Sequence, residues 1–356
     1  MWMNWLLIFV PAAIALEHLA PAQHLPIFVA SSLAILPLAG RMGHATEQLA
    51  ERLGEAVGGL LNATFGNAAE LIIALAALRA GLQEVVEASI VGSIVGNLLL
   101  VFGAAMLAGG LRYPEQRFNP RGARSQATML ILSAIALILP ASFEAVEGKS
   151  AVLLRLSAWI SIALLVVYGL YLVYSLVTHP ALFRSAHEAQ GAVPAGTEDK
   201  PPAPAGRALA ILAAATVGTA WMSEIMVNSL EPMMRDYGLS DIFVGAFLVA
   251  ILGNAAEHAS AITAALKNRM DLSFSIAVGS SVQVALFVAP LLVLASHFFG
   301  PEPMDLAFRP ALVLIVILSV LVTAQMESDG KADWFKGIQL LVVYYALALT
   351  FFFLPQ

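Results

Sequence analysis

The sequence predicts an all-α integral membrane protein of about eleven transmembrane helices: one extra N-terminal helix followed by two inverted five-helix repeats. Composition is the first observation that supports this fold class. Apolar residues make up 60% of the 356 positions and charged residues only 12%, whereas soluble domains carry about 25% charged residues. The mean hydropathy is +0.83. The other two observations are the spacing of the apolar segments and a pentapeptide that occurs twice within them.

Eleven apolar segments are about as long as the roughly 20 residues that a helix needs to cross a bilayer. The predicted spans are 3–19, 23–41, 56–79, 84–110, 126–142, 153–178, 208–229, 240–266, 272–299, 308–325 and 334–354. The first lacks a basic leading segment, so we expect a spanning helix and not a cleaved signal peptide. The predicted divisions are an extra helix (1–20), a first repeat (21–184), a flexible, proline-rich cytoplasmic linker (185–207) and a second repeat (208–356).

Basic residues orient these spans. Of the 18 Lys and Arg residues, thirteen lie in or beside the loops that follow the even-numbered spans, and five lie on the other side. Because short cytoplasmic loops are enriched in Lys and Arg, we expect a cytoplasmic N-terminus and an external C-terminus. Five spans is an odd number, so the two repeats have opposite orientations, an arrangement that supports alternating access.

The repeat has an offset of 187 residues. The pentapeptide Gly-Asn-Ala-Ala-Glu occurs at Gly66–Glu70 and again at Gly253–Glu257. The glycines shared by the repeated motifs are Gly66, Gly253, Gly92 and Gly279. A carboxylate within a membrane is costly and marks a functional site by default. Glu70 and Glu257 on repeated segments therefore indicate a transporter with a cation site near the bilayer midplane.

Polar groups of four spans can complete this site. Spans three and eight carry Asn and Glu at i and i+3. Span four carries Ser and Asn at i and i+4, and span nine carries Ser and Gln at i and i+3. In each case the two residues share one helix face. The candidate cation ligands are Glu70, Glu257, Asn67, Asn254, Ser93, Asn97, Ser280 and Gln283. Two glutamates neutralise one divalent ion, and Ca²⁺ takes about 6–8 oxygen ligands. Thiolate sites are excluded because the chain has no cysteine.

The two glutamates can also carry protons. A buried carboxylate favours its protonated form when it is alone and its ionised form when a cation is near. Ca²⁺ and protons are therefore expected to compete for Glu70 and Glu257, which is the chemistry of an antiporter. His258, beside Glu257, is a candidate modulator of proton coupling.

Several of these residues have a structural alternative. Asn97 and Gln283 would serve equally well as interhelical hydrogen-bonding groups, and the motif glycines as packing residues. His258 fits a hydrogen-bonded structural role. Three acids near span ends are candidates for a cation-attracting vestibule, or else are ordinary solvated residues: Glu47, Glu224 and Glu231.

The two pentapeptide segments resemble the repeat motifs of the calcium/proton exchangers (CAX), a branch of the cation/Ca²⁺ exchanger superfamily. Residues 60–73 resemble the first motif and Gly253–His258 the second. The resemblance implies eleven helices, with Ca²⁺ bound by Glu70 and Glu257 and assisted by the Asn, Ser and Gln positions above. It also implies that helices two and seven slide to alternate access. The strongly acidic linker helix of many members is not evident here.

The function expected from the sequence is therefore Ca²⁺/H⁺ antiport, exporting cytoplasmic Ca²⁺ across a prokaryotic cell (inner) membrane with no bound cofactor. The alternatives are a Na⁺-coupled Ca²⁺ exchanger of the same superfamily, a cation channel, or a membrane-embedded enzyme. The spans carry no His-Glu-x-x-His motif, which argues against a metalloenzyme. The chain has no basic stripe for nucleic acid. Selectivity between Ca²⁺, Mn²⁺ and other divalent cations stays open, as does a homo-oligomer.

Overall fold

The computed structural model describes residues 2–53, 58, 60–61, 64–180 and 204–353. The helices are α1 (Phe9–Leu19, after a 3-10 helix at Trp2–Ile8), α2 (His24–Leu53), α3 (Ala68–Arg79), α4 (Gln83–Gly110), α5 (Pro120–Glu147), α6 (Ala151–Thr178), α7 (Ala205–Tyr237), α8 (Asp241–Leu266), α9 (Met270–Ser296), α10 (Pro310–Glu327) and α11 (Trp334–Phe353). Two short strands, β1 (Gln116–Arg117) and β2 (Lys331–Ala332), pair antiparallel.

The helices have the length and composition of membrane spans. Within the described part of the chain, nine are long and apolar enough to cross a bilayer, and a shorter apolar helix at Asn4–Leu19 precedes them. The remaining helix, α3, is preceded by helical residues at 58, 60–61 and 64–65. The predicted fold class, an all-α membrane protein with an extra N-terminal helix, is confirmed.

The repeat seen in the sequence is also present in the helix boundaries. α4 begins at Gln83 and α9 at Met270, and α3 ends at Arg79 where α8 ends at Leu266, so that both pairs differ by the repeat offset. Each of α4 and α9 contains a π-helical stretch, at Gly96–Val101 and Val284–Val288. π-Helical turns are rare and often lie at functional sites.

Helices α4 and α9 form the centre of the molecule. In their apolar windows 83% and 72% of residues are buried, against 17% in α6 and 22% in α11, which therefore lie at the lipid-facing periphery. Helix α4 approaches α8 closely at Gly92. A β-carbon on this glycine would lie only 2.1 Å from the Ala246 carbonyl oxygen. Helices α2 and α7, which correspond in the two repeats, pack along each other.

Several helices extend beyond the predicted spans. α2 continues to Leu53 and not to 41, because the residues after Arg41 are mostly good helix formers and a helix need not end at the membrane surface. α5 begins at Pro120 and not at 126, because Asn119 caps it and proline suits the first helical position. α7 begins at Ala205, ahead of the span predicted from 208. Linker residues 185–203 lie outside the described residues.

Candidate cation site

The first copy of the pentapeptide lies at a helix break. Gly66 and Asn67 form a turn, Asn67 has φ −98° and ψ 20°, and α3 begins at the next residue. Glu70 is therefore in the first turn of α3. There the positive end of the helix dipole stabilises a negatively charged side chain. The second copy differs, because α8 runs without interruption through Gly253–Glu257. Equivalent sequences thus have different backbones in the two repeats.

Glu70 accepts hydrogen bonds from both repeats. Ser93 Oγ donates to Glu70 Oε1 at 2.8 Å, and Asn254 Nδ2 donates to the same oxygen. Asn254 Nδ2 is also 2.9 Å from Ser93 Oγ. The asparagine of the second pentapeptide therefore contacts the glutamate of the first, and α3, α4 and α8 meet at this carboxylate.

Asn67, the asparagine of the first pentapeptide, likewise forms hydrogen bonds to the other repeat. Asn67 Nδ2 donates to Gln283 Oε1 at 2.6 Å, and Ser280 Oγ donates to Asn67 Oδ1 at 3.1 Å. Ser280 Oγ is also a hydrogen-bonding neighbour of Glu257. Asn97 Nδ2, in the π-helical stretch of α4, joins the two groups through Asn254 Oδ1 at 3.3 Å and Ser280 Oγ at 3.2 Å.

Hydrogen bonds thus join seven of the eight candidate ligands predicted from the sequence, and the eighth, Glu257, lies beside Ser280. Each glutamate keeps one oxygen, Oε2, that is buried and has no hydrogen-bond partner among the described residues. Buried polar atoms normally have partners, so this pair of oxygens stands out. Glu257 also lies within electrostatic range of Glu70. The arrangement can hold a cation or two protons between its carboxylates; the ligand roles themselves stay predictions.

A cavity of about 880 Å³ leads to this network. Both glutamates line it, together with Gly66, Gly253 and Gly279. Its other walls come from the C-terminal parts of α2, α6 and α8 and the N-terminal parts of α5 and α9, so it opens at the side of the molecule where these ends meet. Lys267 and Arg269, in the turn between α8 and α9, are at that side.

Comparison with known proteins identifies the family. The family profile described as sodium/calcium exchanger protein matches residues 24–177 and 207–353, one segment for each repeat. The chain belongs to this exchanger family. The match leaves out α1.

Individual relatives cover nearly the whole exchanger. A Ca(2+)/H(+) antiporter of Aphanothece halophytica is 46% identical, with 98% of this chain and 96% of the relative covered. The Ca(2+)/H(+) antiporter ChaA of Bacillus subtilis is 42% identical, with 98% of each chain covered. The solved structure of native YfkE superimposes with a TM-score of 0.81 at 39% identity, over 98% of this chain and all of that one.

The remaining sequence candidates lie in different places in the exchanger. Glu47 lines the cavity, is exposed, and has its carboxylate 3.5 Å from His44 Nδ1. Glu224 and Glu231 are exposed on α7 and line no part of this cavity; Glu231 pairs with Arg235 at 2.9 Å. That Glu224 and Glu231 line a cation-attracting vestibule, on the side opposite this cavity, stays a prediction.

His258 and Gly92 are two candidates that do not line the cavity. His258 is half-buried on α8, beside Glu257 but outside the described cavity wall. Its proposed effect on proton coupling stays a prediction. Gly92 is buried where α4 meets α8, which supports its packing role.

Sequence reasoning missed part of the cavity wall. Gln126 on α5 and the tyrosines Tyr168 and Tyr171 on α6 line the same cavity as the two glutamates. Gln126 lay at the edge of a predicted span, where a polar residue attracts no notice. The capping signal of Asn119 followed by Pro120 would have placed Gln126 inside the helix.

Proposed function

We propose that this exchanger is a Ca²⁺/H⁺ antiporter that exports cytoplasmic Ca²⁺ in exchange for inward-moving protons. The observation that carries the proposal is the pair of carboxylates, Glu70 and Glu257, which line one cavity and each keep a buried, unpartnered Oε2 atom among the described residues. The names of its full-length relatives support the same activity.

The site suits a hard divalent cation. Two carboxylates balance the charge of one such ion, and carboxylate, amide and hydroxyl oxygens are the ligands that Ca²⁺ prefers. The amide groups of Asn67, Asn254 and Gln283 are now hydrogen-bonded to one another or to Glu70. On cation entry we expect the amides to turn their oxygens inward and the two glutamates to provide their Oε2 atoms, which have no partner among the described residues.

Protons are the alternative occupants of the same carboxylates. Protonation of Glu70 and Glu257 removes the negative charge that holds the cation, and cation binding displaces the protons. This competition couples the two fluxes without a separate proton path. Transport follows when the loaded site is exposed to one side of the membrane at a time.

The cavity corresponds to the inward-open state. It opens at the side with Lys267 and Arg269, which the distribution of basic residues assigns to the cytoplasm. Its walls include α2, which packs along α7. We propose that movement of this helix pair against the central helices closes the cavity and opens the opposite side. No resident cofactor forms part of this mechanism, and a prokaryotic cell membrane is the proposed location.

The direct test is ⁴⁵Ca²⁺ uptake into proteoliposomes under an imposed pH gradient without Na⁺. We expect uptake in the wild type and its loss, by at least about tenfold, in Glu70→Gln and Glu257→Gln. Glutamine keeps the shape of the side chain but removes the charge, and a lost interaction with a charged group changes affinity by about tenfold or more. Glu147→Gln, an exposed acid at the end of α5, is the matched control and should retain transport.

Other outcomes would change the proposal in defined ways. Transport retained by either glutamine variant at the site would remove that glutamate from the mechanism. Uptake that needs a Na⁺ gradient instead of a pH gradient would keep the site and make the protein a Na⁺-coupled exchanger. Uptake of Mn²⁺ but not Ca²⁺ would reassign the cation.

A further inference from the structure

Gln126 lies beside the cation network, on a helix outside the four that form it. It is in the second turn of α5 and only 7% exposed. Its Nε2 atom is 3.8 Å from the position that a β-carbon on Gly279 would occupy. The next residue along α9 is Ser280, which contacts Asn67 and Asn97. The Gln126 amide therefore adjoins the part of the cavity wall that carries the network.

The amide of Gln126 uses only part of its hydrogen-bonding capacity. Gln126 is hydrogen-bonded to Tyr171 on α6. Its carbonyl oxygen, Oε1, is buried and has no hydrogen-bond partner among the described residues. A buried carbonyl without a partner is costly, so such an atom in a native site calls for a reason.

The place of Gln126 in the cavity wall provides a reason. Gln126 lines the same cavity as Glu257 and Gln283. A carbonyl oxygen accepts a hydrogen bond from water or contacts a hard cation directly. Because an amide carries no net charge, it binds a cation less tightly than a carboxylate does. Such a group can orient an ion without trapping it.

We propose that Gln126 contacts the bound divalent cation from the cavity side, beside Glu257. This proposal rests on the proposed function, because it names a further residue at the same site. A turn of the side chain brings Oε1 of Gln126 to the cavity, where it replaces a water ligand of the ion.

The first test is Gln126→Met, which keeps the length of the side chain and removes the oxygen. In ⁴⁵Ca²⁺ uptake we expect the KM for Ca²⁺ to rise about tenfold, with little change in the maximal rate, since the site itself is intact. Gln126→Glu restores an oxygen at the same place and should return the KM to the wild-type value or lower. Gln126→Ala, which is smaller, serves as the second variant if methionine impairs folding.

Tyr171→Phe is the matched control for a structural role. It removes the hydroxyl group next to Gln126 but leaves Oε1, so its KM should stay near the wild-type value. An equal rise in KM in Tyr171→Phe and Gln126→Met would show that the hydrogen bond matters and the oxygen does not, and would overturn the proposal. An unchanged KM in folded Gln126→Met would overturn it too.

Equilibrium ⁴⁵Ca²⁺ binding to the purified wild type and to Gln126→Met separates this inference from the proposed function. If the wild type binds Ca²⁺ but shows no proton-driven uptake, antiport is wrong while the weaker binding of the variant still supports the Gln126 contact. If the wild type transports and the two proteins have equal Kd and KM values, only the Gln126 contact is wrong.

Discussion

Ser93 illustrates how a single small residue shapes the cation site. Its hydroxyl donates to Glu70 Oε1 at 2.8 Å and lies 2.9 Å from Asn254 Nδ2. It thus holds the carboxylate of one repeat against the amide of the other. One oxygen of Glu70 is occupied in this way, and the second has no hydrogen-bond partner among the described residues.

We expect Ser93→Ala to weaken Ca²⁺ binding by about tenfold, because a hydrogen bond to a charged group contributes about 1.5–3 kcal/mol. Equilibrium ⁴⁵Ca²⁺ binding measures the effect. Ser89→Ala is the control: Ser89 lies one turn earlier on α4 and donates to the Val86 carbonyl oxygen. Equal affinities in the two variants would contradict a specific role for Ser93.

At the residue scale, repetition was the source of most of the predicted site residues. The two pentapeptides identified Glu70 and Glu257, and helical spacing added the Ser, Asn and Gln positions that the structure brings together. Gln126 has no counterpart in a repeated motif and comes from a helix of the outer layer. Its approach to the cavity depends on how α5 packs against α9, and helical spacing within one span carries no such information.

At the scale of elements, α4 and α8 are in close contact at Gly92. A β-carbon on Gly92 would lie 2.1 Å from the Ala246 carbonyl oxygen. Small residues at such crossings let helix backbones approach within a membrane. The equivalent glycine of the other repeat, Gly279, has ordinary space around it, with its nearest neighbour at 3.8 Å.

Gly92→Ala is therefore expected to push α4 from α8 and to destabilise the protein by about 1–3 kcal/mol, the usual cost of overpacking. Gly279→Ala should change stability little, even though the two glycines occupy equivalent positions in sequence. Thermal unfolding of both variants in detergent tests the difference. Similar unfolding temperatures for the two would show that the helices adjust at no cost.

Helix existence was easier to predict than helix ends. Apolar length identified the membrane spans, whereas α2 continues past Arg41 and α5 begins at Pro120, ahead of its apolar core. Hydropathy reports the part of a helix in the bilayer, and a helix can extend beyond it. The break at Gly66–Asn67 is also invisible to sequence, since the same residues at Gly253–Asn254 are helical.

At the scale of the whole molecule, the distribution of Lys and Arg predicts that the cavity faces the cytoplasm. The natural absence of cysteine makes single-cysteine labelling a clean test. In cells expressing Lys267→Cys or Glu147→Cys, an impermeant maleimide should label Glu147→Cys from outside, and Lys267→Cys only after permeabilisation. Both native side chains are exposed. The opposite pattern would place the cavity at the external face.

The opposite orientation of the two repeats was inferred from the odd number of spans in each. The open cavity could not be predicted. Pairing of α2 with α7 and the size of the cavity depend on which conformation the molecule adopts, and both conformations have the same sequence. An alternating-access protein encodes at least two arrangements of nearly equal free energy.

The unequal backbones of the two pentapeptides have a consequence for the other arrangement. One copy begins a helix after a turn, and its counterpart lies within an unbroken helix. Since the repeats are inverted, exchanging these two local conformations would produce much the same set of contacts with the opening on the opposite face. In the other state, each pentapeptide would then adopt the local conformation that its counterpart has here. We expect this local rearrangement to accompany the proposed movement of α2 and α7 in the transport cycle.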